Sequence, residues 1–424
     1  MRRPPDRGSC SRLAAVVRAR ECGLPPAGMA PDALHAPVSR HVPAVPGWDH
    51  SLRFLADPYR FIGRECRRLG SDVVQARLLL QPTICLTGPR AAELFSDGTR
   101  FRRVGAGAES DRKAFRWHGD PLPITALLAQ ALEQWDRLLP AWCSRPRVVL
   151  YAAAQDWLCR TGCAWAGIPV APPEAPVRTA QLAAMVDNAA GGIAAHLRAR
   201  RARREAESWL AGLVQSHRHR PSFPEGSPAA AAAGFVDAQG LQLTARQAAT
   251  ELLTLLRPIV AVSVFVVLAA HALHRHPGWR DALARGLDED LQAFVQEVRR
   301  FYPFFPAASA QVSRDFVWDG WHFQKGARAM LDLYGTNHDD RAWPLPHEFR
   351  PERFFGAIPG LFDLVPHGAG PAQDPLSLAL MKLAARQLAV HLRYQVPAQD
   401  LDLQMDRPPA LPRDRFIVER LVPL

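Results

Sequence analysis

A chain of 424 residues with 48% apolar side chains is long enough to bury a large interior, and its 38 Pro and 28 Gly are too few for disorder throughout. The formal charge of +11 is mostly scattered arginine without aromatic interleaving, which argues against a nucleic-acid groove and for solvated helix faces. Seven cysteines, ending at Cys163, form no metal-ligand spacing with histidine, so a reduced, cytoplasmic protein with no metal site of that kind is expected.

Residues 1–45 are rich in Arg, Ala and Pro without a sustained period, and read as a disordered basic extension. They contain no apolar stretch of signal-peptide length. The rest, 46–424, reads as one domain. Tyr59 to Leu69 has helical character. Asp72 to Leu86 reads as strand with a turn at Gln81-Pro82, and a helix follows from Pro89 to Phe95. Residues 102–123 are glycine-rich and charged, as in a loop. Leu122 to Trp142 and Gln155 to Gly167 are helical, and Arg178 to Gln215 gives one or two long helices with a basic face. Pro221 to Pro228 is a linker.

Thr244 to His274 is the longest helix, with Thr244 placed as its N-cap. Leu252 to Ala270 is apolar enough to resemble a membrane span, but Arg257 and Pro258 interrupt it, so a buried core helix kinked at Pro258 is expected. Leu291, Phe294, Val295 and Val298 recur at helical spacing, and that helix stops at Pro303. Phe316 to Met330 alternates around Asp319-Gly320 as a hairpin. A long Pro-rich loop fills 335–361. A final helix opens at Asp374-Pro375. The total is a mainly α protein with small β units.

Two constellations carry chemistry. Glu297 and Arg300 stand at i, i+3 beside an apolar stripe, so a buried carboxylate with a cationic partner is expected. Asn337-His338-Asp339 and then Phe349-Arg350-Pro351-Glu352-Arg353-Phe354 follow, and Arg353 completes a three-charge cluster. Separately, Arg257 in an apolar helix requires an anion, either an internal carboxylate or a bound one. A guanidinium matches a carboxylate in two parallel bonds.

These motifs, with Leu252 to Ala261 and Phe294 to Pro306, resemble the cytochrome P-450 superfamily from about Trp48 onward. The Arg257-Pro258 pair resembles its fatty-acid peroxygenase branch of hydroxylases and decarboxylases. The resemblance implies the P-450 fold, haem as cofactor, and a fatty acid and hydrogen peroxide as substrates. It also implies catalytic roles for Arg257 and Pro258, with the substrate carboxylate on Arg257. It makes Glu297, Arg300 and Arg353 a structural cluster, and sets Arg112 and Lys113 at a haem propionate.

The sequence departs from the family twice. The family places an axial cysteine in a loop before the last helix. Here Phe362 to Gly370 keeps the start of that loop, but Pro371-Ala372-Gln373 leads straight to Asp374, and Pro371 stands at the ligand position. His367 is the nearest imidazole, and its place before the glycines reads as loop packing. A second segment, over the haem, is missing between Ala106 and Asp111. The resemblance therefore implies an impaired peroxygenase. Its alternatives are a haem-free protein that binds a fatty acid or serves as a partner subunit, and a product of accidental deletions.

Overall fold

A computed structural model describes residues 40–103, 124–188, 192–237, 240–356, 359–366 and 375–424. The chain opens with α1 (Ser51–Ala56), α2 (Phe61–Leu69), β1 (Val73–Leu78), β2 (Gln81–Leu86), α3 (Pro89–Ser96) and β3 (Phe101–Arg103). A helical block follows: α4 (Ile124–Cys143), the short β4 (Arg147–Val149), α5 (Leu150–Ala166), α6 (Ala175–Asp187), α7 (Ile193–His219), α8 (Pro228–Gly234) and α9 (Ala245–Arg275). Next come α10 (Gly278–Ala284), α11 (Asp288–Phe301), β5 (Ala307–Val312), β6 (Phe316–Trp318), β7 (Trp321–Phe323), β8 (Arg328–Asp332) and α12 (Leu333–Asn337). The chain closes with α13 (Pro375–Arg386), β9 (Leu392–Gln395) and β10 (Ile417–Pro423). The mainly α architecture expected from the sequence is the one observed.

The helices pack around α9. Thr244 caps it by accepting from the Gln247 amide, and the Gln247 side chain accepts in return from the Thr244 amide at 2.9 Å, a closed capping box. The helix runs through Pro258 unbroken. It is long and apolar enough to cross a membrane, yet most of its apolar stretch is buried against α5, α7 and α13. Gly162 lets α5 approach closely, since a Cβ there would meet the Leu256 side chain at 3.2 Å. Leu380, Ala384 and Leu388 bring the last helix into the same core.

Beside the helices lies a five-stranded sheet in the order β1-β2-β8-β5-β3, with β2 and β8 parallel and the other pairs antiparallel. The β6–β7 hairpin turns at Asp319 and Gly320, both at positive φ, as expected. The β1–β2 turn differs from expectation. It falls on Leu79 and Leu80, and Gln81 and Pro82 belong to β2. Proline is tolerated there because it stands at the start of the strand, before β8 begins to pair at Thr83.

Residues 40–45, read as the end of the extension, are ordered. The Arg40 amide donates to Gly320 O, the Val45 amide donates to Gln75 O, and Val42 and Val45 are buried. Edge pairing with the sheet, which no local pattern announces, fixes them. Residues 1–39 lie outside the described residues. Ala229 to Ala233, too uniform to place from sequence, form α8 because Ser227 accepts from the Ala230 amide at its N-terminus.

Three buried groups tie folding to pH. Burial, and next Arg300, hold His338 down to about 3, and burial, and next Arg275, hold His271 down to about 4. Burial pushes Asp332, which caps α12 through the Gly335 amide, up to about 7. The depressed histidines stabilise the fold above their unfolded value, and that contribution is lost as pH falls from about 6.5 through about 4 and 3. The raised Asp332 acts with the opposite sign: its contribution is full below about 3.8 and is lost as pH rises through about 7. The urea midpoint is therefore expected to fall between about pH 6.5 and 4, and more steeply in Asp332→Asn; equal slopes in the two proteins would remove Asp332 as the opposing group.

Candidate functional site

The charge cluster fixes the loops around the site. Glu297 and Arg300 face one another across one turn of α11, both fully buried. Arg300 Nε and Nη2 each donate to the Glu297 carboxylate at 2.7 Å. The Arg350 amide donates to Glu297 Oε1 at 2.7 Å, and Arg353 Nε stands 3.2 Å from Oε2. The remaining Arg300 donors reach Asn337 O at 3.0 Å, Pro346 O at 2.8 Å and Glu348 O at 3.1 Å. One guanidinium thus closes the end of α12 and the 344–348 loop onto α11. Asn337 Oδ1 in turn accepts from the Val365 amide at 2.7 Å, and Trp343 Nε1 donates to Asp363 O at 3.1 Å. The cluster therefore positions residues 363–365, the entry to the loop that precedes α13.

Arg257 is different. It lies partly buried on α9 with its Nε shielded from solvent and unpartnered, and no carboxylate forms an ion pair with it among the described residues. Burial, and then the like charge of Arg203 on α7, hold its pKa below the usual arginine value. Arg203 itself pairs with Glu207 at 2.7 Å, and Arg246 stands 3.8 Å from the same carboxylate. Thr254 and Pro258, one turn apart, are exposed midway along this largely buried helix. The arrangement is a cation with no acid partner among the described residues, beside the exposed Thr254 and Pro258.

A haem held by thiolate requires a cysteine ahead of α13. The last cysteine of the chain, Cys163, lies one turn from Cys159 inside α5, and both are buried free thiols. Among the described residues no cluster of His, Cys, Asp and Glu is placed to hold a metal ion. The donor set present does not fit a thiolate-bound haem. Arg112, Lys113, His367, Pro371 and Asp374 lie outside the described residues.

A separate cleft of about 1370 Å³ has walls that do not include Arg257. Its walls include Leu55, Leu79, Tyr151, Asp187, Arg198 and Arg415. Tyr151 donates to Asp187, and the Arg415 guanidinium lies 5.7 Å from the centre of the Tyr151 ring. Burial raises the pKa of Asp187. Sequence reading did not single out these residues, because they are separated by up to 264 positions and no local spacing relates them.

A profile of the cytochrome P450 family matches residues 290–373, the stretch that contains the charge cluster. Among solved structures, cytochrome P450SP alpha (CYP152B1) in complex with (R)-ibuprophen is 38% identical, covers 89% of this chain and 99% of its own, and superposes with a TM-score of 0.82. Cytochrome P450EX alpha (CYP152N1) with myristic acid is 30% identical, covers 91% of this chain and 100% of its own, and has a TM-score of 0.83. Among curated proteins, the probable cytochrome P450 4e1 of Drosophila melanogaster is 34% identical over 126 residues. That match covers 25% of this chain and 24% of the relative, so the chain spans about a quarter of that curated relative's length.

Removing one partner of a fully buried ion pair strands the other charge in a low dielectric, typically at a cost of about 3–5 kcal/mol. Glu297→Ala is expected to lose a stability of this order in urea unfolding, far more than Glu133→Ala, whose pair with Arg137 is exposed. Equal losses would show that the buried cluster holds nothing together.

Proposed function

The chain belongs to the cytochrome P450 family, in the CYP152 branch, and from that membership we propose that it binds a fatty acid or similar carboxylate through Arg257 without carrying out thiolate-haem oxidation. The unanswered guanidinium of Arg257 carries this reading. A buried cation without a partner is costly, and a bound carboxylate answers it with two charge-assisted bonds in the plane of the guanidinium. The adjoining exposed turn of Thr254 and Pro258 leaves apolar helix surface next to the charge, which suits an alkyl chain. Myristic acid and (R)-ibuprophen, bound by the two structural relatives, share the carboxylate as their one charged group.

The absence of any cysteine after Cys163 supports a loss of the branch's peroxide-driven oxidation. The residues left in place serve binding and fold: Arg257 anchors, Pro258 shapes the neighbouring helix surface, and Glu297, Arg300 and Arg353 hold the frame. We place the protein in the cytoplasm, with its thiols reduced.

Two measurements test this. Calorimetric titration with myristate should give saturable binding that Arg257→Ala weakens by about ten-fold or more, the worth of a charged hydrogen-bonded contact; undiminished affinity would remove Arg257 as the anchor. Expression with haem supplied, followed by reduction and carbon monoxide, should give no thiolate-type red-shifted Soret band. Appearance of that band would return the chain to the working oxygenases.

A further inference from the structure

We propose that the cleft beside Tyr151 binds an amphipathic zwitterion, an α-amino carboxylate on an apolar body, with its ammonium on Asp187 and its carboxylate on Arg415. This role stands apart from Arg257, which does not line the cleft. Six charged side chains do line it: Asp187, Asp406, Arg198, Arg328, Arg407 and Arg415. None of the six forms an ion pair among the described residues. Charges just outside the cleft behave otherwise. Arg413 pairs with Asp400 at 3.3 Å, Arg147 with Glu419 at 2.6 Å and Arg201 with Glu205 at 2.8 Å. Opposite charges that share one concave wall and stay apart are open to a ligand that bears both.

The geometry holds the acid and the guanidinium at two places on one phenol. Asp187 is the last residue of α6, and its carboxylate accepts from the Tyr151 hydroxyl and from Gln155 Nε2 at 3.4 Å, both on α5. Arg415 lies over the face of the same ring, 5.7 Å from its centre. Its backbone is tied to the start of α5: the Tyr151 amide donates to Arg415 O at 3.3 Å, and the Leu150 amide donates to Phe416 O at 2.9 Å. Arg415 and Phe416 sit at φ 59° and 62°, in the left-handed region that strains any residue with a Cβ. The full burial of Phe416 fixes that turn. Tyr151 thus carries an acid at its hydroxyl and a cation over its face, each anchored by a different element.

The electrostatics select the class of ligand. Asp187 is open to the cleft on one side. Partial desolvation raises its pKa, and the Tyr151 hydroxyl, the Gln155 amide and the Arg415 charge do not restore it. The C-terminal end of a helix also disfavours a carboxylate. A ligand ammonium answers both by donating to the carboxylate oxygens. The planar guanidinium of Arg415, with no acid of its own, takes a carboxylate through parallel N–H donors. Arg407 is exposed and adds a second guanidinium to the same cleft. Phe54, Leu55 and Met330 supply apolar wall for the rest of the ligand. A simple anion would leave Asp187 unanswered, and a simple cation would leave Arg415 so.

Calorimetric titration of the full chain and of its Arg257→Ala variant compares α-aminodecanoate, decanoate and decylamine, three probes that share one alkyl chain. α-Aminodecanoate is expected to bind Arg257→Ala about ten-fold or more tightly than either singly charged probe, the worth of one added charged hydrogen bond. Asp187→Asn keeps the side-chain shape and an acceptor for Tyr151, and should weaken α-aminodecanoate by about ten-fold. Arg415→Gln should weaken it by a similar factor, and both variants should keep their thermal midpoints. Equal affinity for the three probes would overturn the proposal. So would tighter binding of decanoate or decylamine, which would make the cleft a site for a single charge, and so would undiminished affinity in either variant. Loss of α-aminodecanoate binding in Arg257→Ala would place that probe at Arg257 and leave the cleft without this role. Decanoate on the natural chain, weakened by Arg257→Ala and not by Asp187→Asn, reads the Arg257 anchor separately.

Discussion

The bidentate pair between Glu297 and Arg300 is the constraint on which the rest of the structure depends. A carboxylate with no exposure to water must be compensated where it stands, and three hydrogen-bond donors and a second guanidinium do so. The compensating cation is itself buried and needs further acceptors. It finds them in carbonyls from residues 337, 346 and 348, so long polar loops become part of the core instead of surface connections. Through Asn337 and Val365 that order reaches the entry to the last helix. The frame ahead of the last helix is therefore ordered up to Pro366, and no cysteine follows Cys163 in the sequence.

Arg257 shows the opposite economy. Its helix is capped at Thr244 and packed against α5, α7 and α13, yet it carries a guanidinium that no acid among the described residues answers. The two charged sites thus divide the work. One is satisfied internally and stabilises the fold; the other has no acid partner among the described residues, and on it the proposed carboxylate binding rests. The large cleft beside Tyr151 and Asp187 is a third feature, bordered by the apolar Leu55 and Leu79.

The elements that were legible in the sequence are those whose causes are local. Thr244 and Gln247 stand three apart and close a capping box; Leu291, Phe294, Val295 and Val298 repeat at the helical period; Asp319-Gly320 is a hairpin turn of the usual chemistry. The β1–β2 turn was misplaced by two residues, because Leu79-Leu80 carries no turn signal and is held instead by Asp49 and Ser51, about thirty positions earlier. The order of residues 40–45 was missed for the same reason, since their partners are Gly320 and Gln75.

At the site the division is similar. The sequence alone determined that Glu297, Arg300 and Arg353 form a charge cluster, that Arg257 needs an anion, and that no cysteine stands between Cys163 and the last helix. Residue type and spacing on one helix suffice for the first, desolvation cost for the second, and a plain absence for the third. Only the tertiary structure decided that Glu207 is taken by Arg203 and Arg246, and that the exposed Leu79–Leu80 turn is clasped by Ser51 and Asp49. Which acid a cation meets, and which leucine stays in water, depends on what the chain folds beside it, and that is a property of packing between segments far apart in sequence.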